Sequence, residues 1–193
     1  MTLLMLVRHA RHEGFGRVLS GRGEAGLAEA GVKEAAGLAG RLAAFGRLAL
    51  YASPRARAVQ TAGLVATGAA ICPALDEIDY GDWTGLSFGQ LEADPRWRVW
   101  NECRATARPP NGEAMYEVQA RALRWIGTLT DRHPDDVVVA VSHADVIKAV
   151  LMAHLGLSLH AYDSLEIAPA SISALDLWTG GGRVRFINNG IAP

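Results

Sequence analysis

Two arginines and two histidines of this sequence stand at the ends or beginnings of predicted strands and helices. Arg8 and His9 directly follow a run of five apolar residues, His143 lies just beyond a β-branched run, and Arg57 lies near the start of a predicted helix. The planar guanidinium group matches the oxygens of a phosphate, and a neutral imidazole is a capable nucleophile. These residue types together predict a site that binds a phosphoryl group without a metal ion.

Three short strands must bring these side chains together. They are residues 3–7, 48–52 and 137–141, and the last is the purest β-branched run, which predicts a central strand. In open α/β sheets, ligands bind at the carboxyl ends of the strands. A helix is predicted to begin there with Ser53 as its N-cap and Pro54 in its first turn, and another after His143, so that positive dipole ends face the same crevice.

The order of the elements predicts an α/β fold. Helices alternate with strands, which favours a mostly parallel central sheet with helices on both faces, a three-layer α/β/α sandwich. The predicted helices cover residues 29–45, 54–67, 87–94, 97–103, 113–132 and 145–155. Further strands are predicted at residues 72–75, 172–177 and 184–187, the last two as a closing pair. The whole chain, residues 1–193, is interpreted as a single domain.

Composition excludes several classes of partner. The 19 basic and 20 acidic residues leave a formal net charge of −1, which predicts neither a nucleic-acid nor a membrane-surface partner. No apolar run reaches membrane-spanning length, and the apolar start is too short for a signal peptide because it ends at Arg8. Cys72 and Cys103 form no CxxC pair, so a reduced, cytoplasmic setting is expected.

The stretch from Gly21 to Gly26 matches the GxGxxG pattern of dinucleotide-binding proteins. That pattern requires a buried strand directly before it and an acidic residue about 20 positions further on. Residues 15–20 make a poor strand, and no acidic residue occurs between Glu34 and Asp76. We therefore interpret this segment as a flexible loop.

The stretch from Gly85 to Gly89 matches the GxSxG pattern of serine hydrolases. A nucleophilic serine in that pattern needs a buried strand leading into it. The preceding residues are polar and are interrupted by Gly81. Ser87 is therefore better interpreted as the N-cap of the following short helix.

Five motifs occur in an order that resembles the histidine phosphatase superfamily, the phosphoglycerate-mutase-like group. Leu6 to Ala10 resembles its Arg-His-Gly signature, and Ser53 to Ala62 resembles its Ser-Pro-x-x-Arg-Ala-x-Gln-Thr-Ala helix start. Leu75 to Gly85 is similar to its acid loop. Pro110 to Ala114 resembles its Pro-x-Gly-Glu-Ser turn, and Val141 to Ala144 its second-histidine motif. The resemblance extends over nearly the whole chain and implies a phosphoglycerate mutase-like fold.

The resemblance also implies an activity. It is that of a metal-independent phosphomonoester hydrolase of the histidine acid phosphatase type, with no cofactor, acting through a phosphohistidine on a small phosphorylated metabolite. His9 would be the nucleophile and Glu77 the proton donor to the leaving group. Arg8, Arg57 and His143 would hold the phosphate, with Ala144 beside them.

Asp79 and Asp82 compete with Glu77 for the role of the acid. Glu77 is favoured by its spacing before Tyr80 and Gly81, and the other two are expected to be solvated loop charges. Glu113 is interpreted as a helix-start residue that also reaches the phosphate loop.

The chain departs from the family pattern after His9. Ala10 stands where glycine is usual, and Arg11 and His12 stand where Glu-Thr or Glu-Ser is common. Two bulky basic groups there would either select an anionic substrate, with Arg11 as a binding residue, or point to solvent.

Two other functions remain open at this stage. One is a phosphomutase of the phosphoglycerate mutase type, and the other is a phosphate-binding domain without turnover. The short stretch of residues 87–110 favours a compact phosphatase. The identity of the substrate and the oligomeric state, including a homodimer, stay open.

Overall fold

The apolar run near the amino terminus forms a strand at the centre of a six-stranded sheet in the computed structural model, which describes residues 1–190. The strand order is β3-β2-β4-β1-β5-β6. The strands are β1 (Thr2–Arg8), β2 (Leu48–Ala52), β3 (Ala70–Ile71), β4 (Val137–Ser142), β5 (Ile172–Trp178) and β6 (Gly181–Asn189). β1 to β4 run parallel, and β5 and β6 are antiparallel additions. The prediction of a mostly parallel sheet is confirmed.

Seven α-helices are formed by the described residues. They are α1 (Glu29–Ala43), α2 (Ala56–Val65), α3 (Phe88–Glu92), α4 (Pro95–Glu102), α5 (Met115–Ile126), α6 (Leu129–Arg132) and α7 (Ala144–Leu155). None of these helices has both the length and the apolar composition that crossing a membrane would require.

Alternating side chains of the central strands face two separate apolar layers. Leu4 and Val138 pack in one core with residues of α5 and α7, whereas Met5 and Val139 pack in the other with residues of α1 and α2. This alternation follows from the two-residue period of a strand, and here both faces are covered, as is usual for parallel sheets. The three-layer α/β/α arrangement is therefore confirmed.

The register of the sheet brings three strand ends to one edge. Arg8 is paired with Ser142 across β1 and β4, and Ala52 is paired with Val141 across β2 and β4. The residues that follow β1, β2 and β4 therefore lie side by side, as the sequence predicted.

Two predicted elements differ from the observed ones. The strand predicted at residues 72–75 is wrong: β3 is Ala70–Ile71, and Pro73–Leu75 forms a 3-10 turn, because proline has no N–H for a strand ladder. The single helix predicted at residues 113–132 is divided into α5 and α6. The Trp125 carbonyl accepts both the amide and the hydroxyl of Thr128, which disrupts the regular helical bonding there.

The two predicted serine caps have different outcomes. Ser87 is the N-cap of α3 and forms a capping box with Gln90, so its interpretation as a cap is confirmed. The prediction that Ser53 caps the next helix is wrong, because α2 begins at Ala56 with Arg55 at the N-cap position. The Ser53 hydroxyl instead contacts His143 at 2.7 Å.

Two glycines of α1 should respond in opposite directions to alanine. A Cβ atom at Gly31 would lie 1.8 Å from the carbonyl oxygen of Arg11, whereas one at Gly40 meets no neighbouring element within 4 Å. We expect Gly40→Ala to raise the free energy of unfolding by about 1 kcal/mol, the difference in helix propensity. Gly31→Ala should lower it by about 2 kcal/mol, because the backbone must move. Denaturant unfolding of both variants measures this, and stabilisation by Gly31→Ala would contradict the packing described here.

Candidate active site

A cavity of about 250 Å³ opens where β1, β2 and β4 end. Its inner wall is polar and is formed mainly by Arg8, His9, Arg57 and Glu77. His143 lies behind this wall and is fully buried, with its ring centroid 5.0 Å from that of His9. The five residues that the family resemblance selected are thus brought together.

Hydrogen bonds at its two ring nitrogens fix the tautomer of His9. Its Nδ1 lies 2.8 Å from the carbonyl oxygen of Ala10, which accepts only if Nδ1 carries the proton. Nε2 then carries no proton, and its lone pair accepts a hydrogen bond from Nε of Arg57 at 3.2 Å. Burial, together with the positive charges of Arg57 and Arg8, holds the pKa of His9 well below its usual value. The ring is therefore neutral and can act as a nucleophile.

Arg57 is fixed by carbonyl groups of the loop that contains the GxGxxG pattern. Its two terminal nitrogens donate to the carbonyls of Gly21 at 2.6 Å and Gly23 at 3.0 Å. Only 1 % of the side chain is exposed. The loop has a definite role that the sequence did not reveal, since its carbonyls orient a buried guanidinium towards His9.

Arg8 retains unused hydrogen-bonding capacity towards an anion. One terminal nitrogen donates to the carbonyl of Ile167 at 2.6 Å. Its Nε is buried and has no hydrogen-bond partner among residues 1–190. Arg8 also lines the cavity, so its positive charge is available to an oxyanion bound there.

His143 belongs to a chain of hydrogen bonds that fixes its tautomer. Its Nδ1 lies 3.3 Å from a terminal nitrogen of Arg57, which can only donate. His143 therefore carries its proton on Nε2 and donates it to the hydroxyl of Ser53, which in turn donates to Asp76 at 3.4 Å. Burial first, and then the neighbouring His9, keeps the pKa of His143 well below its usual value.

Glu77 is buried beside His143 and Arg57. Its Oε2 lies 3.4 Å from Nδ1 of His143 and 3.9 Å from a terminal nitrogen of Arg57. Burial and, to a smaller extent, the negative charge of Asp145 raise the pKa of Glu77 to about 8, while Arg57 acts in the opposite direction. The carboxyl group is therefore protonated at neutral pH and is able to donate a proton into the cavity.

The two competing acidic residues lie outside this cavity. Asp79 is paired with Arg22 at 3.3 Å, and Asp82 accepts hydrogen bonds from the side chain of Asn111 at 3.0 and 3.1 Å. Glu113 is also engaged elsewhere, since it pairs with Arg22 and Arg121. Among these four acidic residues, Glu77 alone lines the cavity.

The two unusual residues after Ala10, Arg11 and His12, lie in different environments. Arg11 is half exposed and pairs with Glu34 at 3.2 Å, and it is not among the residues that line the cavity. His12 is buried, lines the cavity and has its ring centroid 5.3 Å from that of His9. Ala144 also lines the cavity, so of the proposed substrate-binding residues Arg11 is placed apart and His143 lies behind the lining.

Sequence reasoning missed Asp145 and its two tyrosine partners. Asp145 lines the cavity and accepts hydrogen bonds from the hydroxyls of Tyr80, at 2.8 Å, and Tyr162. Its position two residues after His143 at the start of α7 was the available signal. That signal was weak, because acidic residues are common in the first turn of a helix.

One group of potential metal ligands exists within the described part of the chain. His9, Glu77 and His143 each offer an atom, and these atoms lie within 4.8 Å of one another. Two imidazoles and a carboxylate suit several divalent metals. The positive charges of Arg8 and Arg57 beside them oppose a cation, so the site as a whole is better matched to an oxyanion.

A family model for the histidine phosphatase superfamily, branch 1, matches residues 4–190. The chain belongs to the histidine phosphatase superfamily. The superfamily match spans all five motifs, from the Arg8 and His9 strand end to the second-histidine motif at His143.

Relatives in the superfamily differ in length and in name. The bifunctional protein Rv2228c of Mycobacterium tuberculosis is 33 % identical over 97 % of this chain, which spans only 54 % of that protein. Phosphoserine phosphatase 1 of Hydrogenobacter thermophilus is 31 % identical over 92 % of this chain and 87 % of its own. Phosphoglycerate mutases are found among the relatives at similar identity.

The fold is shared with solved structures of the superfamily. A mycobacterial glucosyl-3-phosphoglycerate phosphatase, solved as a complex with VO3, superimposes with a TM-score of 0.88. It is 28 % identical, and the match covers 97 % of this chain and 99 % of that one. The phosphoglycerate mutase-like fold that the sequence resemblance implied is confirmed.

Proposed function

We propose that this chain is a metal-independent phosphomonoester hydrolase of the histidine acid phosphatase type, acting on a small phosphorylated metabolite. The observation that carries the proposal is the state of His9: a neutral ring in the cavity wall whose Nδ1 donates to Ala10 while Nε2 carries the lone pair beside Arg57. The phosphatase names of two of its relatives support hydrolysis. The two cysteines are free, which supports a cytoplasmic location as part of the same proposal.

The proposed reaction has two steps. Nε2 of His9 attacks phosphorus and forms a phosphohistidine, while the bond from phosphorus to the ester oxygen breaks and Glu77 protonates the departing oxygen. Arg8 and Arg57 bind the phosphoryl oxygens and neutralise the charge that spreads over them, while His143, behind the wall, accepts a hydrogen bond from Arg57 and helps to hold it in place. In the second step the Glu77 carboxylate takes a proton from water, which attacks phosphorus and releases inorganic phosphate and free His9.

The principal alternative is a phosphomutase that shares the first step. In that case the phosphohistidine transfers its phosphoryl group to a second hydroxyl of a phosphorylated acceptor instead of water. Product analysis separates the two reactions, because a hydrolase releases inorganic phosphate in amounts equal to the alcohol formed. A phosphate-binding domain without turnover would give neither product.

A chelator should leave the activity unchanged, because arginine side chains rather than a metal supply the positive charge. We expect release of phosphate from an aryl phosphate to proceed at the same rate with and without an excess of EDTA. Loss of activity that added zinc or magnesium restores would show that His9, Glu77 and His143 act as metal ligands instead.

Replacing Glu77 should separate substrates by their leaving groups. An alkyl phosphate needs a proton on the departing oxygen, whereas a nitrophenyl phosphate scarcely does. We expect Glu77→Gln to slow single-turnover phosphorylation by alkyl phosphates about 10²- to 10⁴-fold, and by nitrophenyl phosphate far less. For the wild-type enzyme, kcat/KM on an alkyl phosphate should fall as pH rises above about 8, where Glu77 loses its proton.

The fall of kcat/KM at alkaline pH provides a control for the assignment of Glu77 as the proton donor. It should be absent from Glu77→Gln, because that variant has no proton to lose at this position. Asp82→Asn, which changes an exposed carboxylate outside the cavity, should retain the decline. Equal slowing of both substrates by Glu77→Gln would assign the proton donor to another residue.

A further inference from the structure

The outer wall of the cavity differs in character from the inner wall. Beyond the arginines and histidines, the lining includes four apolar side chains, those of Phe15, Val18, Leu19 and Phe88, together with polar and acidic ones such as Ser20, Tyr80, Tyr162 and Asp145. Phe15 and Phe88 are each 37 % exposed, so apolar surface faces the space that a leaving group would occupy. We call these four residues the apolar shelf.

The apolar shelf is built by two segments that are bonded to each other. The amide of Leu19 donates to the carbonyl of Leu86 at 2.9 Å, and the amide of Gly85 donates to the carbonyl of Leu19 at 2.8 Å. A bridge between Val18 and Ser87 extends this pairing. The shelf is therefore a defined surface, held in place by backbone hydrogen bonds on both sides of it.

Phe15 is oriented by residues of the inner wall. Its ring packs edge-on against His12, with centroids 5.8 Å apart and an interplanar angle of 85°. The guanidinium carbon of Arg8 lies 5.5 Å from the centre of the same ring. The shelf thus begins directly beside the group that would bind the phosphate.

The charged residues that line the cavity do not suit a second anionic group, and Arg17, on the segment that carries the shelf, is exposed but does not line the cavity. Arg8 and Arg57 are the arginines that line the cavity, and both belong to the inner wall. Asp145, which also lines the cavity, is acidic. Arg11 and Arg22 pair with carboxylates outside the cavity. A carboxylate or a second phosphate on the leaving group would meet apolar side chains or a negative charge.

We infer that the substrates of this site are phosphomonoesters whose leaving group is apolar and uncharged, an aryl or extended alkyl alcohol. The inference rests on the proposed function. It names the substrate class that this chain selects, and it disfavours the phosphoglycerate mutase reaction, because a phosphoglycerate carries a carboxylate in addition to its phosphate. The phosphoryl group would occupy the inner wall and the carbon chain would lie along the apolar shelf.

A series of unbranched alkyl chains tests the inference. Beyond the shortest members the leaving alcohols have nearly equal reactivity, so chain length changes only the apolar surface that can be buried. Burial of one methylene is worth up to about fourfold in affinity. We expect kcat/KM to rise from ethyl to butyl to hexyl phosphate, by two- to fourfold per methylene, and 3-phosphoglycerate to be turned over less well than butyl phosphate.

Substitutions of the two phenylalanines test whether the apolar shelf causes the rise of kcat/KM with chain length. Phe15→Ala and Phe88→Ala should each lower the ratio of kcat/KM for hexyl phosphate to kcat/KM for ethyl phosphate several-fold. Phe45→Ala is the matched control, because Phe45 is exposed to a similar degree but lies away from the cavity. Equal efficiency along the series would overturn the inference, as would a chain-length dependence that survives both shelf substitutions together.

Binding of alkylphosphonates distinguishes failure of the inference from failure of the proposed function. These compounds have no ester oxygen that can depart, so calorimetric titration measures affinity without turnover. Affinity that rises with chain length while no alkyl phosphate is hydrolysed would support the shelf and contradict the phosphatase. Hydrolysis of all members, with phosphonate affinity independent of chain length, would support the phosphatase and overturn the shelf.

Discussion

His9→Ala should abolish both turnover and covalent phosphorylation of the enzyme. The variant lacks the Nε2 lone pair that would attack phosphorus, so no phosphohistidine can form at this position. We expect kcat/KM to fall by at least about 10⁴-fold, the scale seen when a covalent nucleophile is removed. Rapid quenching of the wild-type enzyme with labelled substrate should give acid-labile, base-stable phosphate on His9, and the variant should carry none.

A control must show that the loss reflects the nucleophile and not the fold. His160→Ala removes an exposed histidine outside the cavity and should retain both the label and the rate. His9→Ala should unfold at a temperature close to that of the wild type, because His9 is not among the residues of either apolar core. Label on His143 or Ser87 would mean that the nucleophile has been assigned wrongly.

Arg57→Ala should lower kcat/KM by about 10³-fold, the range for loss of a charged group that stabilises a phosphoryl transition state. Arg57 is almost fully buried and contacts both His9 and His143, so its charge is little screened by water. Arg57→Lys should restore only part of the rate, because a point charge cannot replace two nitrogens in one plane. Steady-state kinetics on nitrophenyl phosphate provides the measurement.

The matched control for this prediction is Arg98→Ala. Arg98 is exposed on α4, where it pairs with Glu102 at 3.7 Å, and its loss should leave the kinetics unchanged. Near wild-type activity of Arg57→Ala would place Arg57 outside the reacting site. A folding check is needed as well, since Arg57 also holds the carbonyls of Gly21 and Gly23.

Elements were predicted well where one local pattern decided them. The run of residues 137–141 was assigned to a central strand because β-branched residues favour strands and carry no polar group to solvate, and it is β4. Errors arose where a single residue prevented the regular backbone hydrogen bonding that the pattern predicted. Pro73, which has no N–H, begins a 3-10 turn where a strand was predicted. Thr128 bonds to the carbonyl of Trp125 and interrupts the helix that was predicted there.

The sequence by itself determined which side chains meet at the edge of the sheet. Arg8, His9 and His143 follow strands directly, and parallel strands of matching register must end together. The family resemblance added Arg57 and Glu77 by motif. Each of these placements depends on the strand or motif directly around the residue, which is why it could be predicted without the tertiary structure.

Only the tertiary structure decided the protonation states and the shape of the site. Spacing before Tyr80 and Gly81 favoured Glu77 over Asp79 and Asp82, but the burial that raises the pKa of its carboxyl group depends on packing by distant segments. The same holds for His12, which is turned inward while its neighbour Arg11 is drawn out to Glu34. The apolar shelf exists because two loops far apart in sequence pair with each other, a contact that arises only when the chain is folded.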